Sequence, residues 1–308
     1  MNIASISFSG ATPLPLHLQG RTHAVEYTPK YSRGDQVCFG TKFPVSDAQE
    51  VRKLYRTLAP TLSDKELDAY VTVENLWRAT TPETLPADPV AYLRSIEARH
   101  NIFVFVDGRS ERLNAFSQAY GGSAAAGTSG EPLIIVGEGA EKNWGALSHE
   151  LVHALHLQNP ETAFPTAALL SIEAVSNIYS RVVIPLVTQF PNPPELDPNK
   201  KESANLKQFA RQYEPDPLGE VEGIEEQVMP LLAQMTTEQL MQARKSFLSE
   251  WAAYRLGGEL SKQEAMSDSP DRFTKGRWMI SAGIAVSVFA TLVRLVNQQL
   301  ASNPITTT

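Results

Sequence analysis

The stretch SHELVHALHLQNP, residues 148–160, places three histidines and a glutamate on one short apolar segment. His149 and His153 are four residues apart, so on an α-helix their imidazoles project from one face, about one turn apart. That spacing allows two ring nitrogens to bind one zinc ion at about 2.1 Å. Glu150 follows the first histidine and is placed to accept a proton from a water at the metal. The segment therefore predicts a helix that carries a metal site.

The alternative interpretation is a helix with polar residues and no metal. The flanking residues WGAL (144–147) and ALHL (154–157) are apolar apart from one histidine, which indicates a largely buried helix. Buried imidazoles and carboxylates need partners, and a metal ion supplies them. The chain has six histidines in 308 residues, so this pattern would arise by chance about once in a hundred such chains. These observations favour the metal site.

His156 is a tempting third ligand, but the helix geometry argues against it. It follows His149 by seven residues, which corresponds to about 10 Å along a helix axis. One tetrahedral ion does not comfortably reach both ends of that distance. We expect His156 to have a role in packing or in supporting the ligands.

The third ligand is expected on another helix. The segment FPTAALLSIEAVSNIYS, residues 164–180, contains one charged residue, Glu173, among mostly apolar neighbours. A lone carboxylate on a buried helix must be paired or bound to a metal. Asn177 lies one turn further on and could orient a liganding histidine. Glu173 is therefore the predicted third ligand, and Glu250 on a later helix is the reserve candidate.

The pairing of HELVH (149–153) with IEAVSN (172–177) resembles the gluzincin pattern of thermolysin-type zinc peptidases. In that pattern a second helix of the form NExxSD supplies a glutamate ligand and an aspartate that supports a histidine. The resemblance implies one Zn²⁺ per chain, held by His149, His153 and Glu173. It also implies that Glu150 is the general base.

This resemblance is partial. Ile172 and Asn177 stand where the family pattern has Asn and Asp, which weakens the support for the ligands. No histidine follows His156, so the late catalytic histidine of thermolysin-like enzymes is missing. The chain is not a member of that family in the strict sense.

The architecture is more similar to bacterial effector metallopeptidases that are injected into host cells. These enzymes and the clostridial neurotoxin light chains combine HExxH with a glutamate on the next helix. They also use an arginine or tyrosine on a later helix to stabilise the oxyanion. The later helix here, 236–260, carries Tyr254 and Arg255 and is predicted to end at Gly257. The resemblance implies that Tyr254 or Arg255 stabilises the transition state; a core tyrosine and a surface arginine remain the alternative.

Composition and charge narrow the classes of partner. The net charge is −7 and the 27 basic residues form no dense run, so nucleic acid is not expected as a partner. The single cysteine, Cys38, excludes an internal disulfide framework and a cysteine-based zinc site.

The N-terminal residues predict a flexible tail at 1–40. Residues 1–20 contain no Lys or Arg and no long apolar run, so no secretory signal is predicted there. An uncharged start rich in Ser and Thr resembles the leaders of type III-secreted effectors. The expected location is therefore a host cell, or otherwise the cytoplasm.

We predict an α+β, mainly α-helical, zincin-like domain over 41–308, with a small sheet beside the active-site helix. It includes a surface excursion at 190–226 and a C-terminal helical part at 236–300. Helices are predicted at 45–60, 62–81, 88–99, 109–119, 143–158, 166–184 and 237–256, strands at 101–108 and 132–137, and a loop at 120–132. Ser63 and Glu66 predict a capping box at the start of the second helix, and Asp88 is the predicted N-cap of the third. The strand at 132–137 is expected to be the sheet edge along which a peptide binds.

The apolar stretch 278–293 is a candidate for a membrane-inserted helix. It has 16 residues, whereas a membrane span needs about 20. A buried core helix is the favoured interpretation, and insertion into a membrane stays open.

The sequence thus predicts a zinc endopeptidase that hydrolyses a specific protein, expected to be a host protein cut by a bacterial effector. One alternative is a regulatory peptidase that acts inside its own cell. Another is a non-catalytic protein that uses 278–293 to bind a membrane or a partner helix.

Overall fold

The computed structural model describes residues 48–82, 84–106, 124–126, 132–136, 142–164, 166–188, 215–266 and 272–302. The predicted tail at 1–40, the predicted helix at 109–119 and most of the predicted surface excursion lie outside these residues. The described part is mainly helical and contains one small sheet, which confirms the predicted class in outline.

The helices are α1 (Ala48–Leu58), α2 (Asp64–Thr80), α3 (Pro89–His100), α4 (Trp144–Leu157), α5 (Thr166–Leu170), α6 (Glu173–Ile178), α7 (Ile184–Thr188), α8 (Glu225–Leu232), α9 (Thr237–Met266) and α10 (Arg272–Ser302). A π-helical turn, Tyr179–Val183, joins α6 to α7. The strands are β1 (Phe103–Val106), β2 (Ala124–Ala126) and β3 (Leu133–Val136).

The N-termini of α2 and α3 begin where the capping residues predict. Ser63 and Glu66 form a reciprocal capping box at the start of α2, with Ser63 Oγ accepting from the Glu66 backbone N–H. Asp88 accepts a hydrogen bond from the backbone N–H of Ala91 at 2.9 Å and so begins α3. Both predicted caps are confirmed.

The sheet has the strand order β1–β3–β2, with β1 parallel and β2 antiparallel to β3. β3 is therefore the central strand, and the prediction that 132–137 forms a free edge for a peptide is wrong. β2 falls inside the stretch predicted as a loop. Its alanines have weak strand propensity, so the strand depends on pairing with Ile134 and Val136, both of which are fully buried.

The two longest helices, α9 and α10, pack together, and α9 also packs along α4. All residues of the apolar stretch 278–293 are buried. By length and composition the helix Trp278–Ser302 could cross a membrane, but 94% of its most apolar window is buried inside the fold. This burial agrees with the favoured interpretation of a core helix.

The prediction that Gly257 ends this helix is wrong, because α9 continues to Met266. A Cβ at Gly257 would lie 2.7 Å from the carbonyl oxygen of Gly145 and 2.7 Å from the Trp278 ring. The glycine is therefore required for close packing of α9 against its neighbours. The predicted long helix at 166–184 is instead divided into α5, α6 and the π-helical turn.

Candidate metal centre

The helix that carries the HELVH motif, α4, is capped from two sides. The side chain of Asn143 accepts a hydrogen bond from the backbone N–H of Ala146 at 3.0 Å. Glu264, near the end of α9, accepts from the backbone N–H groups of Trp144 at 3.1 Å and Gly145 at 3.3 Å. A carboxylate here satisfies two amides of the first turn and faces the positive end of the helix dipole. The N-terminus of α4 is thus tied to α9.

A stripe of residues on α9 contacts α4 along most of its length. Its members recur at alternating spacings of four and three residues, which keeps them on one face of the helix. We call this stripe the seam, and it consists of Glu250, Tyr254, Gly257, Ser261 and Glu264. Its contacts run in opposite order along the two helices, so α4 and α9 are antiparallel.

Small residues bring the two helices close at the N-terminal end of α4. A Cβ at Gly145 would lie 1.8 Å from Ser261 Oγ and 2.9 Å from the Trp278 ring. With Gly257 opposite, the backbones approach more closely than larger residues would allow. This close approach is what lets a short carboxylate side chain on α9 reach the imidazoles of α4.

Three ligand atoms converge at the centre of the seam. Nε2 of His149 lies 3.0 Å from Nε2 of His153, and Oε2 of Glu250 lies 3.4 Å from each of them. A tetrahedral zinc ion, with ligands at about 2.0–2.1 Å, separates its ligand atoms by about 3.3 Å. The spacing of the three atoms fits a metal ion, and two imidazoles with one carboxylate are a donor set that such ions accept.

The electrostatics of this cluster favour an ionised carboxylate. Burial opposes the charge on Glu250, but the facing ring of His153 and hydrogen bonding with both histidines hold the pKa of its carboxyl well below the usual range. Burial likewise opposes the charge on His153, but the carboxylates of Glu250 and Glu150 raise its pKa above the usual value. The cluster thus carries a negative charge at Glu250 that a cation would neutralise.

Glu150 lies on α4 between the two histidines and is partly exposed. Its charge contributes to the raised pKa of His153, so the carboxylate is near the cluster. It is not one of the three converging ligands. A general base in a metal site would be a carboxylate near the ligands but outside their set, and Glu150 fits that description for the candidate ligands.

Aromatic rings cover His149 on the side of α9 and α10. The Tyr254 ring lies 4.3 Å from the His149 ring, centroid to centroid, and the Trp278 ring lies 6.2 Å away. Tyr254 also stacks on Phe289 of α10 at 5.8 Å. The structure therefore places the predicted residue Tyr254 beside the candidate ligands, where it is partly exposed.

Glu173, the predicted third ligand, is not in this cluster. It is the first residue of α6 and is exposed, whereas the prediction required a buried carboxylate. Glu250, the reserve candidate, occupies the third position. The segment after α6 does reach this region, but through Tyr179, whose pKa is raised by burial and by the charge of Glu250.

Arg255 has a different role from the one predicted. It follows Glu250 by five residues, which turns it about 140° around the helix axis. There it is buried, forms an ion pair with Glu74 of α2, and lies over the Trp251 ring at 4.8 Å. It is neither a surface arginine nor directed at the metal cluster.

His156 lies outside the ligand cluster, as the helix geometry predicts. It is fully buried, and its ring packs edge-on against Tyr70 at 5.4 Å. Neither ring nitrogen has a hydrogen-bond partner in the described part of the chain. Burial, with a smaller contribution from His153, lowers its pKa to about 3, so the ring is neutral.

The seam was the signal that could have identified Glu250 from sequence. Between residues 250 and 264, the polar or small residues Glu250, Gly257, Ser261 and Glu264 recur at helical spacing on one face of the helix. Such a stripe indicates close contact with a second helix that carries polar groups of its own. The prediction weighted Glu173 more heavily because it follows the motif at the spacing of a known pattern.

Comparison of the chain with protein-family models, with curated proteins and with solved structures found no match.

Proposed function

We propose that this protein is a zinc peptidase whose metal is held by His149, His153 and Glu250. The observation that carries the proposal is the convergence of one atom from each residue within 3.4 Å. Three protein ligands leave one of four tetrahedral positions for water or substrate, which is the arrangement of catalytic rather than structural zinc.

A bound zinc ion would polarise the peptide carbonyl and make a water more acidic. Glu150 then accepts a proton from this water as its oxygen attacks the carbonyl carbon. When the C–N bond breaks, Glu150 passes that proton to the departing amine nitrogen. The carboxylate returns to its ionised form, and the proton is conserved over the cycle.

Tyr254 is the residue proposed to stabilise the developing oxyanion. Its ring lies 4.3 Å from the His149 ring and is partly exposed, which places the side chain beside the position that a substrate at the metal would take. Arg255 has no part in this proposal because its guanidinium is buried against Glu74.

The proposed substrate is a protein. Its expected origin in a host cell rests on the composition of residues 1–20, which lie outside the described residues, and stays a prediction. The alternative of a regulatory peptidase uses the same chemistry and differs only in the substrate. The alternative of a non-catalytic protein that acts through 278–293 has less support, because that segment is buried in the fold.

The first experiment is the zinc content of purified wild type and of single variants. Zinc is expected at one ion per chain in wild type, Glu150→Gln and Glu173→Gln, and to be lost in His149→Ala, His153→Ala and Glu250→Gln. Glu173→Gln is the matched control, because it removes the same charge from an exposed carboxylate. Zinc retained in Glu250→Gln, or none in wild type refolded with zinc, would overturn the proposed centre.

The second experiment tests catalysis separately from binding. Wild type and the zinc-loaded Glu150→Gln variant are incubated with a proteome-derived peptide library, and new N-termini are mapped. Peptidase activity predicts cleavage sites that appear with wild type and are absent with the variant. If the protein bound zinc but cleaved neither peptides nor intact proteins, the metal site would be supported and the proposed peptidase activity would be refuted.

A further inference from the structure

The two histidines of the centre are held in different ways. Nδ1 of His153 lies 2.9 Å from Oγ of Ser249, a fully buried residue that directly precedes Glu250 on α9. Nδ1 of His149 is also buried but has no hydrogen-bond partner in the described part of the chain. Among the described residues, a hydrogen bond on the side away from the cluster fixes the ring of His153 and none fixes that of His149.

The contact with Ser249 has a consequence for the proton on the imidazole. A neutral imidazole carries its proton on one nitrogen and a lone pair on the other. When Nδ1–H donates to Ser249 Oγ, the lone pair is on Nε2, the atom that faces Glu250 and His149. Adjacent residues of one helix turn thus contact both nitrogens of the same ring.

We propose that Ser249 is a positioning residue, which holds His153 with its Nε2 lone pair directed into the metal centre. This inference rests on the proposed metal site and concerns the orientation of one ligand, not the chemistry of hydrolysis. Groups that hydrogen-bond the far nitrogen of a liganding histidine set its tautomer and ring angle, and their loss weakens metal binding about 10- to 100-fold. Ser249 is expected to act with an effect of that size.

The test compares three variants at two buried serines. Ser249→Ala removes the hydroxyl and favours the helix, so the variant is expected to fold. Ser249→Thr keeps the hydroxyl and is expected to restore the function of Ser249. The matched control is Ser281→Ala on α10, which removes a buried hydroxyl that has no hydrogen-bond partner in the described residues.

Zinc affinity is measured by competition with a chromophoric chelator. Ser249→Ala is expected to bind Zn²⁺ about 10- to 100-fold more weakly than wild type, while Ser281→Ala keeps wild-type affinity. Unchanged affinity in Ser249→Ala would overturn the proposal. Equal weakening in Ser281→Ala would also overturn it, because the effect would then be a general one on packing.

A second readout does not depend on zinc. Solvent exchange of the His153 Nδ1–H proton is followed by NMR in the metal-free chain. The proton is expected to be protected in wild type and Ser249→Thr, and to exchange faster in Ser249→Ala. If the chain binds no zinc, the peptidase proposal fails, and the exchange of this proton still tests whether Ser249 positions His153. Equal exchange rates in wild type and Ser249→Ala would overturn that role of Ser249.

Discussion

Gly257 of α9 packs directly against Gly145 of α4, and a Cβ added at Gly257 would stand 2.7 Å from the Gly145 carbonyl oxygen. The contact lies about two turns from Glu250 along α9. The distance between the two helices at this point therefore also sets how far Glu250 lies from His149 and His153. A substitution at Gly257 should therefore alter the proposed metal centre without changing any of its ligands.

We predict that Gly257→Ala weakens both folding and zinc binding. The added methyl must displace backbone or the Trp278 ring, which costs about 1–3 kcal/mol of unfolding free energy. Separation of the helices would lengthen the distance from Glu250 to the histidines. Urea unfolding and chelator competition measure the two effects.

The neighbouring glycine supplies the control for this prediction. A Cβ at Gly258 would lie 3.4 Å from the Ala282 Cβ, which is ordinary contact. Gly258→Ala should be neutral or stabilising by up to about 1 kcal/mol, because alanine favours a helix over glycine. Similar losses of stability and zinc in both variants would refute the role of close packing.

Glu264→Gln is predicted to destabilise the protein by about 1–2 kcal/mol. The carboxylate accepts from the backbone N–H groups of Trp144 and Gly145, and an amide would direct its NH₂ group at one of these donors. Thermal unfolding measures the loss. Glu222→Gln, in an exposed turn before α8, removes the same charge and should leave stability unchanged.

The local features of the fold were predictable because their signals lie within a few residues. Ser63 and Asp88 begin α2 and α3 as predicted, and the spacing of His149 and His153 places their rings together on α4. The apolar stretch 278–293 likewise predicts the buried helix that is found. Each of these depends on periodicity or capping, which one segment of sequence contains in full.

The predictions that were wrong concern features that depend on contacts between distant segments. Glu250 meets the histidines only because α9 lies antiparallel to α4, and the stripe of polar and small residues on α9 does not by itself specify α4 as the partner helix. Arg255 is buried because Glu74 of α2 pairs with it. β3 became a central strand because β2, a run of alanines with weak strand propensity, pairs with it.

Arg255→Met is predicted to destabilise the chain by about 3–5 kcal/mol, because it leaves the buried carboxylate of Glu74 with less compensation. The double variant Arg255→Met, Glu74→Leu should recover part of that loss, since Arg78, the other partner of Glu74, still has Glu259 at 3.5 Å. Folded molecules of both variants should bind zinc like wild type. If the well-folded double variant lost zinc binding or peptide cleavage, Arg255 would have a role in the catalytic site after all.

His156→Phe is predicted to reduce the dependence of stability on acid pH. Burial lowers the pKa of His156 to about 3 in the folded chain, whereas the unfolded chain has a histidine pKa of about 6.5. Between these values the unfolded state binds a proton that the folded state does not. Unfolding free energy should therefore fall as the pH decreases below about 6.5, by up to about 1.4 kcal/mol per pH unit from this residue.

Phenylalanine keeps an aromatic ring against Tyr70 and has no group to protonate. The measurement is urea unfolding of both metal-free proteins across the acid range, so that zinc release makes no contribution. The difference in unfolding free energy between variant and wild type should grow in favour of the variant as the pH decreases from about 6.5. Parallel pH profiles would mean that His156 takes up a proton in the folded state, and that its buried nitrogens have polar partners there.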